Sequence, residues 1–262
     1  MSGGRIVQKR ELGQHFLVDP NILGVIERLA ALDPDDVVLE VGAGLGVLTT
    51  YLADRVDVVH AVEVDRQLVP HLEAELAGRE NVRLHVGDAL ALDLSSLRPP
   101  PGKLVANLPY AIATPLVADS LDGLPSVARW CVMVQREVAD RFVAGPGTKA
   151  YGAVSVLLQL TARPIGLHPV ARTCFRPPPN VESAIVALVR ERSWGEEYPW
   201  LKRVVQGAFA HRRKTLANSL VLAGVSSRDR AAAALARLGA PADARAESLA
   251  PGAFLELAEQ LR

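Results

Sequence analysis

Residues 37–46 have the sequence VVLEVGAGLG, a short apolar run that ends in a glycine-rich turn. An apolar run of this length before such a turn predicts a buried β-strand. Glycines in the turn let the backbone approach a ligand, because no Cβ stands in the way. Gly42, Gly44 and Gly46 follow the spacing G-x-G-x-G. A dinucleotide-binding fingerprint would place its third small residue at position 47, which is Val47, so the spacing argues against that class of site.

Strands and helices alternate along the chain after this stretch. Apolar runs predict further strands, and the segments between them have helical patterning. Such alternation predicts an α/β fold with a mostly parallel, doubly wound sheet. The last two predicted strands could form an antiparallel pair at the sheet edge. The predicted strands are 37–41, 57–62, 82–86, 103–106, 130–134, 165–170 and 184–189, and the predicted helices are 45–53, 66–77, 114–120, 136–143 and 153–161.

A change of composition near residues 193–195 predicts a second domain. Alanine-rich stretches with helical periodicity follow it, and they are interrupted at Gly224, 239–241 and 251–252. Glycine and proline end helices, so we expect about four helices in this part. The sequence therefore predicts a domain boundary at residue 192, with an α/β domain before it and a small helical domain at 193–262.

Charge is unevenly distributed, although the formal net charge of the 262 residues is zero. Residues 198–262 hold ten Lys or Arg against five Asp or Glu, and residues 1–14 hold three against one. A basic end on an acidic body is one arrangement that binds nucleic-acid phosphates. A solubilising helical surface is the alternative that charge alone leaves open.

The chain has few features of a secreted or membrane protein. Its two cysteines, Cys131 and Cys174, lie in different sequence contexts, as expected of ordinary buried thiols in a reducing compartment. No apolar run reaches the roughly eighteen residues of a membrane span, and no apolar segment follows the basic N-terminus. We therefore expect a cytoplasmic protein.

Two acidic residues follow predicted strands at the edge where parallel sheets bind ligands. Glu63 closes the second strand about twenty residues after the glycine-rich turn, where a carboxylate can accept hydrogen bonds from the ribose hydroxyls of an adenosine. Asp88 follows the third strand and can meet the edge of an adenine ring. The alternative for Asp88 is a turn residue that accepts a hydrogen bond from its own backbone.

The sequence Asn107-Leu108-Pro109-Tyr110 directly follows the fourth predicted strand. The amide oxygen of Asn107 and a loop carbonyl can accept the two N–H bonds of an exocyclic amino group. Tyr110 can stack on a planar ring. The alternative is a strand-end turn with a core tyrosine.

Several blocks carry a resemblance to a known family. The glycine-rich turn resembles the first motif of Rossmann-like methyltransferases, and the Asn-Leu-Pro-Tyr segment resembles the amine site of amino methyltransferases. The chain is similar over essentially its whole length to the bacterial small-subunit (16S) ribosomal RNA adenine N6,N6-dimethyltransferases. The other matching blocks are LGQHFLVD at 12–19, FRPPPNVESA at 175–184, FAHRRKTLANSL at 209–220, and RAESL at 245–249 with Phe254.

This resemblance implies a class I methyltransferase that uses S-adenosylmethionine. Its substrate would be the N6 amino groups of two adjacent adenosines in a hairpin near the 3′ end of 16S RNA, within a pre-30S particle. The residues implied to bind the methyl donor are Gln14, His15, Leu17, Gly42, Gly44, Gly46, Glu63, Asp88, Ala89 and Asn107. The residues implied at the target base are Asn107, Leu108, Pro109, Tyr110 and Phe175, with Phe175 over the base face opposite Tyr110.

The resemblance also assigns the two predicted domains. Residues 1–192 would bind the donor and catalyse transfer, and residues 193–262 would bind RNA through Arg212, Arg213 and Lys214. One departure from the family is visible at Ala111, where Asn is frequent, and it puts a loop hydrogen bond in doubt.

The expected chemistry is activation of a weak nucleophile, because the lone pair of an N6 amine is delocalised into the purine. Acceptance of both N–H bonds by Asn107 Oδ1 and the Leu108 or Pro109 carbonyl would localise that pair. A paired base cannot reach the loop, so the target must be flipped or unpaired. We find no dedicated general base and expect no metal.

Three other functions remain open at this point. The nearest is a 23S RNA adenine methyltransferase that confers macrolide resistance, which shares the N-terminal, glycine-rich and Asn-Pro-aromatic motifs. The others are a ribosome-binding factor without catalysis and a small-molecule methyltransferase. A monomer is expected, because no apolar surface stripe stands out.

Overall fold

The protein is described by a computed structural model that covers residues 14–262. The basic segment before them and the first two residues of the LGQHFLVD block lie outside this range. The chain forms two compact units. The first comprises the described residues up to Ala139 together with Pro164–Arg190, and the second comprises Asp140–Arg163 together with Glu191–Arg262.

A seven-stranded sheet forms the centre of the first unit. The described strands are β1 (Phe16–Leu17), β2 (Val37–Val41), β3 (Val58–Glu63), β4 (Val82–Val86), β5 (Lys103–Asn107), β6 (Arg129–Gln135), β7 (Ala162–Val170), β8 (Phe175–Arg176) and β9 (Ser183–Arg190). The order in the large sheet is β4-β3-β2-β5-β6-β9-β7. The strands from β4 to β6 are parallel to their neighbours, and β9 runs antiparallel to β6. The predicted α/β fold with a mostly parallel sheet is confirmed.

Burial explains why the central strands are mostly apolar. Every residue of β3 is buried, and four of the five in β2 are, as expected for strands of a parallel sheet with both faces covered. The edge strand β4 is half-exposed. A second, two-stranded sheet pairs β1 with β8 in antiparallel register, so Leu17 lies opposite Phe175.

The helices agree with the predicted segments except near glycine and proline. Gly44 and Gly46 adopt positive φ, so α2 starts only at Val47, and Pro70 lies in the first turn of α3. One helix, α1, was not predicted. The helices are α1 (Pro20–Ala30), α2 (Val47–Ala53), α3 (Val69–Glu75), α4 (Ala113–Gly123), α5 (Arg136–Val143), α6 (Ala153–Thr161), α7 (Tyr198–Phe209), α8 (Leu216–Leu222), α9 (Arg228–Arg237) and α10 (Pro251–Gln260).

The second unit is helical and contains the four helices predicted after residue 193, α7 to α10. Its packing differs from the single boundary predicted at residue 192, because residues 140–163 belong to it as well. The physical reason is the apolar helix α6, which packs on α7 and α10. Just before α6, the Tyr151 hydroxyl donates to the Leu249 carbonyl over 2.9 Å.

None of the helices within residues 14–262 has the length and hydropathy that a membrane crossing requires.

Candidate active site

A cleft of about 200 Å³ opens at the carboxyl ends of β2, β3, β4 and β5 in the first unit. This is the edge at which open α/β sheets bind ligands. The loops that follow these strands form most of the wall, and the segment that contains β1 closes one side. The lining residues are 14–17, 40–45, 47–48, 62–64, 87–89 and 107–112.

Two glycines of the glycine-rich turn have no room for a Cβ. Gly42 has a φ of +84°, and a Cβ on it would lie 2.9 Å from Cδ of Pro109. Gly44 has a φ of +60°, and a Cβ there would lie 3.2 Å from the Phe16 ring. Both conformations disfavour residues with a Cβ. Gly46 was also predicted to bind the donor, but it does not line the cleft, and a Cβ on it would meet Leu72 on α3.

Glu63 ends β3 and connects two loops of the cleft. Its Oε2 accepts a hydrogen bond from the Gly44 N–H, and its Oε1 accepts one from the Asp65 N–H, each over 2.8 Å. Asp65 in turn accepts from the side-chain amide of Gln14 over 2.9 Å. Each carboxylate oxygen has a second lone pair. Glu63 therefore orders the turn and can still accept ribose hydroxyls.

Glu40 lies inside the apolar run of β2, and the sequence analysis gave it no role. It is 1% exposed and lines the cleft, and its Oε2 has no hydrogen-bond partner within the described residues. Burial raises the pKa of Glu40 to about 8, and the nearby Glu63 carboxylate adds to the increase while the Thr49 hydroxyl opposes it. The carboxyl group is therefore mostly protonated at neutral pH when no cation faces it.

Asp88 and Ala89, which were predicted to bind the donor, follow β4 and line the cleft. Asp88 Oδ1 accepts a hydrogen bond from the Leu90 N–H over 2.9 Å, which is the turn interaction that the sequence left as an alternative. Because the second carboxylate oxygen remains, this bond is compatible with a contact to an adenine edge.

Asn107 ends β5, and its amide is held in one orientation. Its Nδ2 donates to the His15 carbonyl over 3.1 Å, so Oδ1 is left as an acceptor for another group. In the same loop the Pro109 carbonyl accepts from the Ile112 N–H over 3.1 Å. The Leu108 and Pro109 carbonyls were both predicted as acceptors for the amine. The Leu108 carbonyl is the one that takes no part in this turn bond.

Tyr110 and His15 lie next to each other in the wall of the cleft, which Phe16 also lines. The Tyr110 hydroxyl lies 2.7 Å from Oγ of Ser183, and its ring centroid lies 5.5 Å from that of His15. The Nδ1 of His15 lies 2.9 Å from the Pro177 carbonyl and must carry the proton, because a carbonyl can only accept. Burial raises the pKa of Tyr110, and the Ser183 bond opposes this increase.

Leu17, which was predicted to bind the donor, lines the cleft, whereas Phe175 does not. Phe175 is 1% exposed and belongs to the hydrophobic core of the first unit, together with Leu17 opposite it. Side chains alternate along a strand, so the exposed face of β8 carries Arg176 and the inner face carries Phe175. The predicted position of Phe175 over a base face is thus corrected.

The basic residues Arg212, Arg213 and Lys214 lie in an exposed turn between α7 and α8 of the second unit. Arg212 is partly engaged, because it donates to the Lys149 carbonyl over 3.1 Å and pairs with Glu247 at 3.5 Å. No hydrogen bond or ion pair of the Arg213 and Lys214 side chains is found in the part of the chain that the structure describes.

Sequence reasoning missed four residues of this arrangement: Glu40, Phe16, Asp65 and Ser183. Phe16 and Ser183 lie in the blocks that carried the family resemblance, so a signal for them was present. Glu40 and Asp65 act through burial and through a loop contact, which appear only after folding.

Comparison with known proteins identifies the family of the chain. The sequence model of the family described as ribosomal RNA adenine dimethylase matches residues 6–262. The ribosomal RNA small subunit methyltransferase A of Rubrobacter xylanophilus is 48% identical over 257 residues, which cover 98% of this chain and 96% of the relative.

Two solved structures are also similar. The dimethyladenosine transferase from Plasmodium falciparum has a TM-score of 0.80 and 26% identity, covering 93% of this chain and 96% of that one. The 23S rRNA methyltransferase ErmE has a TM-score of 0.68 and 29% identity, covering 94% of this chain and 99% of that one. On the family match and the relative at 48% identity, the chain belongs to the ribosomal RNA adenine dimethylase family.

Proposed function

We propose that this chain transfers methyl groups to the N6 amino groups of two adjacent adenosines in a hairpin near the 3′ end of 16S ribosomal RNA. The observation that carries the proposal is the orientation of Asn107. Its Nδ2 is used by the His15 carbonyl, and its Oδ1 is left as an acceptor at the end of β5. The same cleft contains the glycine-rich turn, so a methyl donor and an amine would meet there.

S-adenosylmethionine is the methyl donor, and when bound it supplies an electrophilic methyl group on a sulfonium. The cleft fits this molecule on two observations. The turn at Gly42 and Gly44 brings bare backbone to the wall of the cleft. The buried Glu40 carboxyl has an oxygen with no partner among residues 14–262, which suits a ligand that carries positive charge. Gly42, Gly44, Glu63, Asp88 and Ala89 would hold the donor.

The residues at the end of β5 would activate the amine. Asn107 Oδ1 and the Leu108 carbonyl would accept its two N–H bonds, which localises the nitrogen lone pair. These two bonds would also hold the amine nitrogen in line with the methyl group, so that the reaction would not depend on a random encounter. A site with little water would suit a reaction in which a positive charge on sulfur disappears.

Tyr110 would hold the target base by stacking. A base inside a helix cannot enter this cleft, so the adenine must be flipped or unpaired before it binds. Stacking on an aromatic side chain is worth about 1–3 kcal/mol per base. Because Phe175 is in the core, Tyr110 alone is assigned to the base in this proposal.

The second unit supports an RNA substrate. Residues 198–262 carry twice as many basic as acidic side chains, and Arg213 and Lys214 are exposed in a turn. Exposed cations of this kind bind phosphates irrespective of base sequence. We propose that the chain acts as a monomer on a pre-30S particle in the cytoplasm.

The experiment that tests this function is transfer of labelled methyl groups into purified ribosomal particles. We expect label in small-subunit particles that lack the modification, and none in large-subunit particles. Asn107→Ala should transfer no label, and its affinity for S-adenosylmethionine is measured separately, because Asn107 also borders the donor site. Label in the large subunit would instead support the 23S activity, and normal transfer by Asn107→Ala would contradict the role of the amide.

A further inference from the structure

Ser183 is a buried polar residue that the reaction described above does not use. It is the first residue of β9 and is 1% exposed. Its Oγ lies 2.7 Å from the hydroxyl oxygen of Tyr110. Buried hydroxyl groups almost always have a hydrogen-bond partner, and here the partner belongs to the loop after β5. The bond therefore connects the amine loop to a different strand of the sheet.

The far end of the Tyr110 ring is the point at which a single bond has most effect. A tyrosine ring is oriented by two side-chain torsions, χ1 and χ2. The phenolic oxygen lies on the χ2 axis, so it stays in place when χ2 changes and moves farthest when χ1 changes. An anchor at that oxygen therefore fixes the position of the ring. One side of the ring is already near His15, at a centroid distance of 5.5 Å. A ring free to swing about χ1 could close the remaining space or move away from it.

We propose that Ser183 is a positioning residue, whose hydroxyl holds the Tyr110 ring at the position where the target adenine stacks on it. This inference rests on the proposed function. Ser183 does not touch the reacting atoms, and it acts through Tyr110. The loss of its hydroxyl leaves the donor-binding residues unchanged and reduces the fraction of bound complexes that are aligned for transfer.

The test compares Ser183→Ala, Ser183→Thr and Tyr110→Phe, alone and with the two hydroxyl deletions combined. A hydrogen bond contributes a factor of about three to ten to an equilibrium of this kind. We therefore expect Ser183→Ala to reduce kcat by about three- to tenfold, with an unchanged Kd for S-adenosylmethionine. Ser183→Thr keeps the hydroxyl and should restore most of kcat. Tyr110→Phe should reduce kcat by the same factor as Ser183→Ala. The double variant should have the same kcat as either single variant, because the same hydrogen bond is lost in all three.

Ser120→Ala is the matched control. Ser120 is also a buried serine of the first unit, and its Oγ accepts from Nε1 of Trp130 over 2.8 Å. It does not line the cleft. Ser120→Ala should lower the melting temperature as Ser183→Ala does, and it should leave kcat unchanged.

A measurement on the protein alone completes the test. The ¹³Cζ signal of Tyr110 is the one missing from the NMR spectrum of Tyr110→Phe. The chemical shift of this signal should change in Ser183→Ala. It should keep its wild-type value in Ser120→Ala and lie close to that value in Ser183→Thr.

The outcomes separate this inference from the function on which it rests. An active wild-type protein whose kcat is equally high in Ser183→Ala would overturn the role of Ser183 alone. The same follows if the effects of Ser183→Ala and Tyr110→Phe multiply in the double variant. A wild-type protein that transfers no methyl group to ribosomal RNA would overturn the proposed function and this inference together.

Discussion

At the scale of single residues, Glu40 shows how the cleft depends on desolvation. A carboxyl group without water is neutral unless a cation faces it. Thr49 and Glu63 lie near Glu40 and affect its pKa in opposite directions, but burial is the largest cause of the increase to about 8. In the free protein the Glu40 carboxyl group, at the wall of the donor site, is therefore mostly protonated at neutral pH.

The stability of the free protein should report this proton. The unfolded chain loses the Glu40 proton near its ordinary pKa of 4.5, whereas the folded protein keeps it until about pH 8. Glu40 therefore lowers stability progressively as pH rises through this window. Glu40→Gln should remove that decline. Its free energy of unfolding should therefore rise relative to that of the wild type by up to about 1.4 kcal/mol for each pH unit in this window. Denaturant unfolding at several pH values measures the difference.

The control for this prediction is Glu73→Gln, because Glu73 is an exposed glutamate on α3. Its stability should follow the wild type at every pH. If the curves of Glu40→Gln and wild type are parallel from about pH 5 to pH 8, Glu40 is ionised in the folded protein and the account of the cleft is wrong at this residue.

The site could be predicted from sequence where its signals are local. Asn107, Tyr110 and the turn glycines lie directly after predicted strands, so topology alone brings them to one edge of the sheet. Phe175 shows the limit, because the family block fixes its identity, whereas packing against Leu17 fixes its position. The bond between Ser183 and Tyr110 joins residues 73 positions apart, which no local pattern specifies.

At the scale of elements, two histidines join neighbouring strands of the sheet. His60 on β3 is buried, and its Nε2 donates to the Pro99 carbonyl over 2.9 Å. Its Nδ1 is then an acceptor, and the Nε2 of His85 on β4 donates to it over 3.1 Å. Burial lowers the pKa of both rings, and the Arg83 charge contributes further. A proton added to His60 would occupy Nδ1, remove this acceptor and break the bond to His85.

This pair should make stability fall in acid. Because the folded pKa values lie below the unfolded value of 6.5, the stability is fully present above that pH. As pH falls below it, the unfolded chain binds more protons and stability is lost. His85→Gln should flatten the pH dependence of the unfolding free energy between about pH 5 and pH 7. His71→Gln on α3 serves as the control, and an equal flattening in both variants would contradict the role of the pair.

Most elements could be predicted because their hydrophobic periods are strong. The exceptions have identifiable physical causes. Helix α1 was missed although Asp19 accepts from the Asn21 N–H as its N-cap and Pro20 begins the helix, which are recognised start signals. Helix α2 starts late because the preceding glycines take positive φ for the ligand turn. The membership of α6 in the second unit depends on which apolar faces meet, and periodicity does not encode that.

At the scale of the whole molecule, the zero net charge conceals a basic helical unit. The surplus in residues 198–262 includes the exposed turn with Arg213 and Lys214. Binding of RNA through such side chains releases counterions, so the affinity depends on salt. If this turn contacts phosphates, its charge determines the salt dependence of binding.

Reversal of both charges, Arg213→Glu with Lys214→Glu, should weaken RNA binding. The slope of log K against log salt should fall by about 1 for each lost phosphate contact. The matched control is Arg228→Glu with Arg237→Glu on α9, which changes the net charge equally at two other exposed positions. RNA affinity measured from low to high salt for both double variants distinguishes an effect of this turn from an effect of overall charge. Equal losses in both double variants would mean that overall charge matters and the turn does not.

The measurement that tests the central claim most directly is mass spectrometry of 16S RNA fragments. Unmodified small-subunit particles are incubated with the protein and a donor that carries a deuterated methyl group. We predict four labelled methyl groups on one fragment near the 3′ end, two on the N6 atom of each of two adjacent adenosines, and none with Asn107→Ala. Label on another base, on another atom of adenine, or on RNA of the large subunit would contradict the account.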